Sequence, residues 1–289
     1  MKTVLCAVGI AALLAVAALH AEPASWSQPQ SPFRIHGNTW YVGTRGLSAI
    51  LITSPQGHVL IDGTLARNAG QIEANIQRLG FRLADIRVIL NSHAHGDHAG
   101  AIAQLARDSG AQVWASVAGA PALRSGGDDP DDPQRGEGLR FAPVAGVEVI
   151  DDGATLRVGP LALVAHYTPG HTPGSTSWTW RSCEQARCLD MAYPDSLTAI
   201  SSDGFRFSDD AAHPHRVEDF RQSFATVAAL PCDVLITPHP EASGFMEKVA
   251  ARERQGSVDA LIDAGGCRAY AAKARQVFEQ RLASERQSP

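Results

Sequence analysis

The sequence predicts an α+β chain, mixed αβ in its order of elements, with helices packed outside β-sheets. Short apolar or alternating runs, bounded by Gly and Pro, read as strands. Apolar residues recur at helical spacing in two segments of the first half and three of the second. The resulting order is strands, helix, strand, helix, strands, then helices, which does not fit a simple doubly wound sheet. No internal repeat is visible.

The elements follow in turn. Thr39–Gly43, Leu47–Thr53 and His58–Asp62 alternate or run apolar between turn residues and predict antiparallel strands. Residues 66–79 carry Ile72, Ile76 and Leu79 on one helical face. Ile86–Leu90 is a buried strand, Ala99–Ser109 a helix and Val113–Ser116 a strand. Residues 124–140 are rich in Gly, Asp, Pro and Arg, and predict a long surface loop of the kind that often serves as a lid. Strands resume at Val147–Ile150, Ala154–Val158, Leu161–His166, Ser175–Trp180 and Cys188–Tyr193. A second irregular loop spans 200–215. Val217–Leu230 is helical, Val234–Thr237 is a strand, and 244–255 and 257–283 are helical. Residues 22–33, rich in Pro, Ser and Gln, are expected to lie loosely on the surface.

The chain's ends and charge bound its setting. Residues 1–21 hold Lys2, an apolar stretch from Val4 to Leu19 and a small-residue exit at Ala21, which together predict a secretory signal peptide. The remainder, 22–289, fits a single catalytic domain large enough to bury a core unaided. The formal net charge is −5, and no basic cluster is present, so nucleic acid is an unlikely partner on electrostatic grounds. No segment after the signal approaches a membrane span, so no membrane insertion of the mature chain is expected. A monomer is expected, because no long exposed apolar stripe is visible. Beyond Cys6 in the signal, four cysteines remain: Cys183, Cys188, Cys232 and Cys267. An even number in an exported chain reads as disulfides. Three pairings are possible. The parsimonious one joins Cys183 to Cys188 and Cys232 to Cys267, the second contributing about 3 kcal/mol on a chain-entropy account.

One decapeptide carries the chemistry. Asn91–Gly100 places His93, His95, Asp97 and His98 within six positions, directly after the Ile86–Leu90 strand. A solvated loop holds one or two such residues by chance, and packing requires none at this density. Two further histidines end strands between prolines that stiffen the backbone: His171 in Thr168–Ser175 and His239 in Thr237–Pro240. His93, His95 and His171 form one candidate set of three nitrogens. Asp97, His98 and His239 form a second set of two nitrogens and one oxygen, reached by a turn at Gly96. Such donors suit zinc best, with iron or manganese next. Six ligands split three and three leave open positions, as catalysis requires, whereas closed structural sites put four ligands on one ion. Of the other histidines, His36, His58, His213 and His215 read as surface or turn residues, and His166 as a strand residue.

His93-Ala-His95-Gly-Asp97-His98, then Gly170-His171, then His239 resembles the ligand series of the metallo-β-lactamase superfamily, and the resemblance covers nearly the whole mature chain. It implies a four-layer αβ/βα sandwich. The match is most like subclass B3. The Tyr193–Thr198 segment resembles the B3 pattern with serine in place of a cysteine ligand, and Cys232 and Cys267 resemble the B3 C-terminal disulfide. The implied activity is hydrolysis of the β-lactam amide of penicillins, cephalosporins and carbapenems, by a hydroxide held between two zinc ions per chain, with Asp97 orienting it. Ser196 and Thr198 are implied as contacts to the substrate, a small-molecule β-lactam, and a periplasmic location suits that role. The alternative is a thioesterase, lactonase or phosphodiesterase of the same scaffold, in which Asp195 bridges the metals. Which of Asp195 and Ser196 faces the metals decides between them.

Overall fold

A computed structural model describes residues 22–137 and 140–287, and the expected signal segment lies outside them. Seven strands form the first sheet in sequence order: β1 (Phe33–His36), β2 (Thr39–Tyr41), β3 (Ile50–Ile52), β4 (His58–Ile61), β5 (Ile86–Leu90), β6 (Gln112–Ala115) and β7 (Val147–Val149). Tight turns join β1 to β4, so these pair antiparallel. From β4 to β7 the connections carry helices, and the pairing becomes parallel, as a crossover requires. The helices are α1 (Ala69–Arg78), α2 (Gly96–Ala99), α3 (Ile102–Ser109) and α4 (Gly119–Arg124). The second sheet has five strands, β8 (Thr155–Val158), β9 (Leu161–Tyr167), β10 (Thr176–Glu184), β11 (Arg187–Tyr193) and β12 (Val234–Leu235), with β12 parallel to β11 at one edge. Three longer helices follow from the second half: α5 (Arg216–Ala229), α6 (Phe245–Gln255) and α7 (Gly266–Gln287).

Side-chain alternation stacks these pieces into four layers. On β3, Ile50 and Ile52 point inward against Leu163, Trp178 and Met191 of the second sheet. Leu51 between them points outward, to Ile72 and Ile76 of α1 and Ile102 of α3. On the far side, Ala192 and Leu235 turn outward to Phe220 and Phe224 of α5 and to Phe278 of α7. The order is therefore helices, sheet, sheet, helices, the metallo-β-lactamase fold. Apolar runs along the strands bury on both faces, which is why they read as continuous rather than alternating.

Cys183 and Cys188 sit directly opposite each other next to the turn of the β10–β11 hairpin and are bonded. Cys232 is bonded to Cys267, which ties the first turn of α7 to the residues that enter β12.

Three expectations need correction. Residues 22–33 are held, not loose. The Trp26 carbonyl accepts from Thr44 Oγ1 and Asn68 Nδ2, and the Gln28 carbonyl from the Arg45 amide. A polar stretch without a core of its own is fixed through its backbone. His36 and His58 are strand residues and are buried. His58 lies edge-on to Phe81 at 5.1 Å, and His36 Nε2 lies 3.3 Å from the Arg187 carbonyl. The final helix begins at Gly266 instead of 257, because Asp263 turns the chain. Its carboxylate accepts from the Gly265 amide and its carbonyl from the Gly266 amide.

Candidate metal centre

β5 delivers the decapeptide to the edge where the two sheets meet. Residues 91–95 leave the strand through a series of bends, His95 itself extended, and Gly96 opens the single helical turn α2, so the chain reverses between His95 and Asp97. Asp62, at the end of β4, fixes this segment. Its carboxylate accepts from the Ser92 amide (2.8 Å), Ser92 Oγ (2.7 Å), Asn91 Nδ2 (3.1 Å) and the Tyr193 hydroxyl (2.9 Å). Asp62 holds a left-handed backbone, φ 61°, which a short polar side chain tolerates best. Gly100 closes the turn. A Cβ there would stand 2.2 Å from the Gly96 carbonyl oxygen and 2.5 Å from the Ala66 amide, so only glycine fits.

The first three imidazoles are each anchored by one nitrogen. His93 Nδ1 donates to Asp195 Oδ1 at 2.7 Å, His95 Nε2 to Asp132 Oδ2 at 2.7 Å, and His171 Nδ1 to the Thr198 carbonyl at 2.8 Å. Each acceptor is a carboxylate or carbonyl oxygen, so each anchored nitrogen carries the proton. The other nitrogen keeps a free lone pair. In the three rings together these donors lie within 4.8 Å of one another. His93 Nε2 is buried with no hydrogen-bond partner. Burial, reinforced by neighbouring imidazoles, pushes the His171 pKa down to about 3 and holds His93 well below the usual range. Both rings are thus kept as neutral ligands.

The second set converges more tightly. Asp97 Oδ2 is 3.1 Å from His98 Nε2 and 3.3 Å from His239 Nε2, and the two imidazole nitrogens are 3.1 Å apart. Burial opposes charge on Asp97, but His98 and His239 outweigh it and hold the carboxyl well below its normal range. His98 is likewise disfavoured by burial, yet Asp97 draws its pKa upward. This corner attracts positive charge. His93 also brings a donor within 4.8 Å of Asp97 and His98, so it stands between the two sets. An orphaned imidazole nitrogen, three anchored rings and a carboxylate-bearing triangle fit transition-metal binding by both sets.

Above the donors opens a cleft of about 570 Å³, lined among others by Trp26, Gln134, Ser196, Thr198 and Ile200. Ser196 faces this cleft, whereas Asp195 is fully buried behind His93. A carboxylate bonded to the far nitrogen of His93 is poorly placed to bridge metals on its near side. All six ligand candidates converge at this edge, and Ser196 and Thr198 border it.

Two residues at the site escape the sequence reading. Asp132 is one of several aspartates in a stretch without periodicity, yet it alone reaches His95. Burial opposes its ionisation, but the hydrogen bond and charge of His95, the Gln134 amide and His171 together outweigh it and lower its pKa. Trp26 lies with its ring 5.3 Å from that of His239. A lone tryptophan in a polar segment was the available clue. Of the remaining histidines, His166 bonds Thr179 across the sheet, His213 stacks on Phe205, and His215 precedes α5. None borders the cleft.

Comparison with known proteins agrees with this geometry. The solved structure of the Rm3 metallo-β-lactamase is 51% identical, covers 91% of this chain and 97% of its own, and has a TM-score of 0.88. That of MEM-A1, a subclass B3 metallo-β-lactamase isolated from a soil metagenome library, is 48% identical over 91% of this chain and 100% of its own, with a TM-score of 0.89. A curated relative, the hydroxyacylglutathione hydrolase of Anaeromyxobacter dehalogenans (strain 2CP-C), is 37% identical over 94 residues, 32% of this chain and 29% of the relative. A family model described as the metallo-β-lactamase superfamily matches residues 42–239, a span that takes in every ligand candidate, and the chain therefore belongs to that superfamily.

Proposed function

We propose that this protein hydrolyses the amide bond of β-lactam antibiotics, as a subclass B3-like enzyme with two zinc ions per chain. The observation that carries the reading is the split of six donors, three and three, beneath an open cleft whose wall presents Ser196 in place of Asp195. Zinc there supplies Lewis acidity and a water that is nucleophilic at neutral pH. The chain's own groups do the rest. His93, His95 and His171 would hold one ion, and Asp97, His98 and His239 the other. The Asp97 carboxylate, ionised by its histidine neighbours, also orients the attacking water. The Ser196 and Thr198 hydroxyls, which border the cleft, would contact the substrate carboxylate. Trp26 and Ile200 give the cleft apolar walls. No serine or cysteine nucleophile is needed.

Residues 22–289 act in this reading as one catalytic domain, exported by the segment 1–21 to the periplasm. Among the described residues, no helix is long and apolar enough to cross a membrane. The partial match to a hydroxyacylglutathione hydrolase raises a thioesterase as a second reading. It needs Asp195 as a metal bridge, and the placement of Asp195 behind His93 speaks against it.

The test is hydrolysis of a penicillin and a carbapenem by the purified protein. Turnover is expected to vanish on chelation and to return with zinc. Undiminished turnover after complete metal removal would overturn the reading, as would turnover of a thioester in preference to either antibiotic.

A further inference from the structure

The segment between α4 and β7 has no helix or strand among its described residues, yet it enters the metal centre at one point. Asp132 is 8% exposed, and its Oδ2 receives the His95 Nε2 proton at 2.7 Å. Its second oxygen accepts from the Gln134 amide at 2.7 Å, which sets the carboxylate's angle. The same segment is pinned on both sides. Buried Arg216, the first residue of α5, donates to the Asp131 carbonyl at 2.7 Å, and Ser202 donates through its amide and hydroxyl to the Pro133 carbonyl. Gln134 then lies with its Nε2 3.5 Å from His171 Nε2, on the cleft side.

We propose that Asp132 is a positioning residue for the metal centre: it fixes the tautomer and aim of His95, and through that bond the 131–137 segment is ordered when His95 takes up metal. The inference rests on the zinc reading above. Its physical basis is general. A carboxylate behind a ligating imidazole raises the ring's basicity and holds its orientation, and loss of such a partner typically costs 10- to 100-fold in metal affinity. What is particular here is that the carboxylate belongs to residues 131–137, none of which joins a hydrophobic cluster; the apolar anchors of the connection, Phe141 and Val144, lie beyond them. Asp132 is therefore a two-way tie: the segment steadies the ligand, and the ligated histidine steadies the segment that walls the cleft.

The test uses the full mature chain and two variants. Asp132→Ala removes the acceptor, whereas Asp132→Asn keeps an acceptor of the same shape without its charge. Zinc affinity is read by competition with a chromophoric chelator. The visible bands of the cobalt(II)-loaded protein report ligand geometry, and amide hydrogen exchange over 131–137 is read with and without zinc. We expect Asp132→Ala to weaken the tighter-binding site at least tenfold, to shift the cobalt bands and to abolish zinc-dependent protection of 131–137. Asp132→Asn should lie between it and the parent on all three. A purely structural clamp would lower the melting temperature of the metal-free protein while leaving the cobalt bands in place, and that result overturns the proposal. If Asp132→Ala does not fold, parent-like zinc affinity and cobalt bands in Asp132→Asn overturn it equally. Failure of the parent chain to bind zinc would refute the metal reading itself, a separate outcome.

Discussion

At the scale of single residues, the site is a set of imidazoles whose proton positions are dictated from behind. His171 shows the consequence. Its Nδ1 is committed to the Thr198 carbonyl, and its Nε2 is left as a donor. His171→Ala should remove one ligand outright and reduce kcat/KM by well over the ~100-fold typical of losing an outer partner, whereas Ser196→Ala should cost no more than about tenfold, mainly in KM. Equal losses in steady-state assays would mean that Ser196 does more than anchor substrate. The same variant isolates a pH effect. In the unfolded chain His171 takes up its proton near 6.5, but in the fold its pKa is pushed down to about 3. Between these values the unfolded state binds the extra proton, so His171 destabilises the zinc-free fold by about 1.4 kcal/mol for each pH unit below 6.5. The stability of the zinc-free parent relative to His171→Ala, measured by denaturant titration, should therefore fall as pH drops from 6.5 to 4. A constant difference would show that the ring titrates normally. The convergence of these side chains was legible because four metal-binding residues in six positions have no packing explanation. Asp132 and Trp26 were not, because their partners lie 37 and 213 positions away in a chain that offers several equivalent aspartates and tryptophans.

Elements were legible where apolar patterning decided them and illegible where polar contacts did. β5, α5 and the β10–β11 hairpin stand essentially where periodicity places them. The break before α7 depends on hydrogen bonds accepted by Asp263, which leave no apolar pattern, whereas β1 carries only the two-residue alternation of Phe33 and Ile35, too short to stand out beside a polar stretch. The irregular 200–215 loop illustrates how such segments are held. Glu285, near the end of α7, is buried and accepts from the Phe207 amide at 3.2 Å, the Ser208 amide at 2.9 Å and Arg281 Nε at 2.6 Å. One carboxylate thus stands in for a strand partner. Glu285→Ala should orphan the buried Phe207 amide and remove one partner each from the Ser208 amide and Arg281, for a loss of about 1–2 kcal/mol in thermal or denaturant unfolding. Zinc affinity should stay at the parent value, because no ligand contacts this residue. A matching loss of zinc affinity would show that the loop, and not only the ligands, holds the centre together.

At the scale of the whole molecule, the donors come from both sheets. His93, His95, Asp97 and His98 follow a strand of the first. His171 follows β9, and His239 lies just beyond β12, in the second. The four-layer order could be anticipated from the succession of elements and the family resemblance, but which sheet edge meets which could not, since a sandwich's mutual orientation is a product of packing that no local pattern encodes. Each set draws on both sheets, so a bound ion would add to the polar ties that already cross between them, Tyr193 to Asp62, Trp178 to the Asn91 carbonyl and Trp180 to Thr39. The cleft above them has one wall of a different origin. Glu22, Pro23 and Trp26 border it, and they hold their place through backbone bonds to Thr44, Gly46 and Asn68. The residues made earliest of the described chain are therefore among the last that can settle, because their seats exist only once β2, β3 and α1 have assembled. Completion of the binding surface is thus tied to the docking of the Glu22–Gln28 stretch onto parts of the chain that follow it, so that the cleft is finished by a late local event and not by the sheets alone.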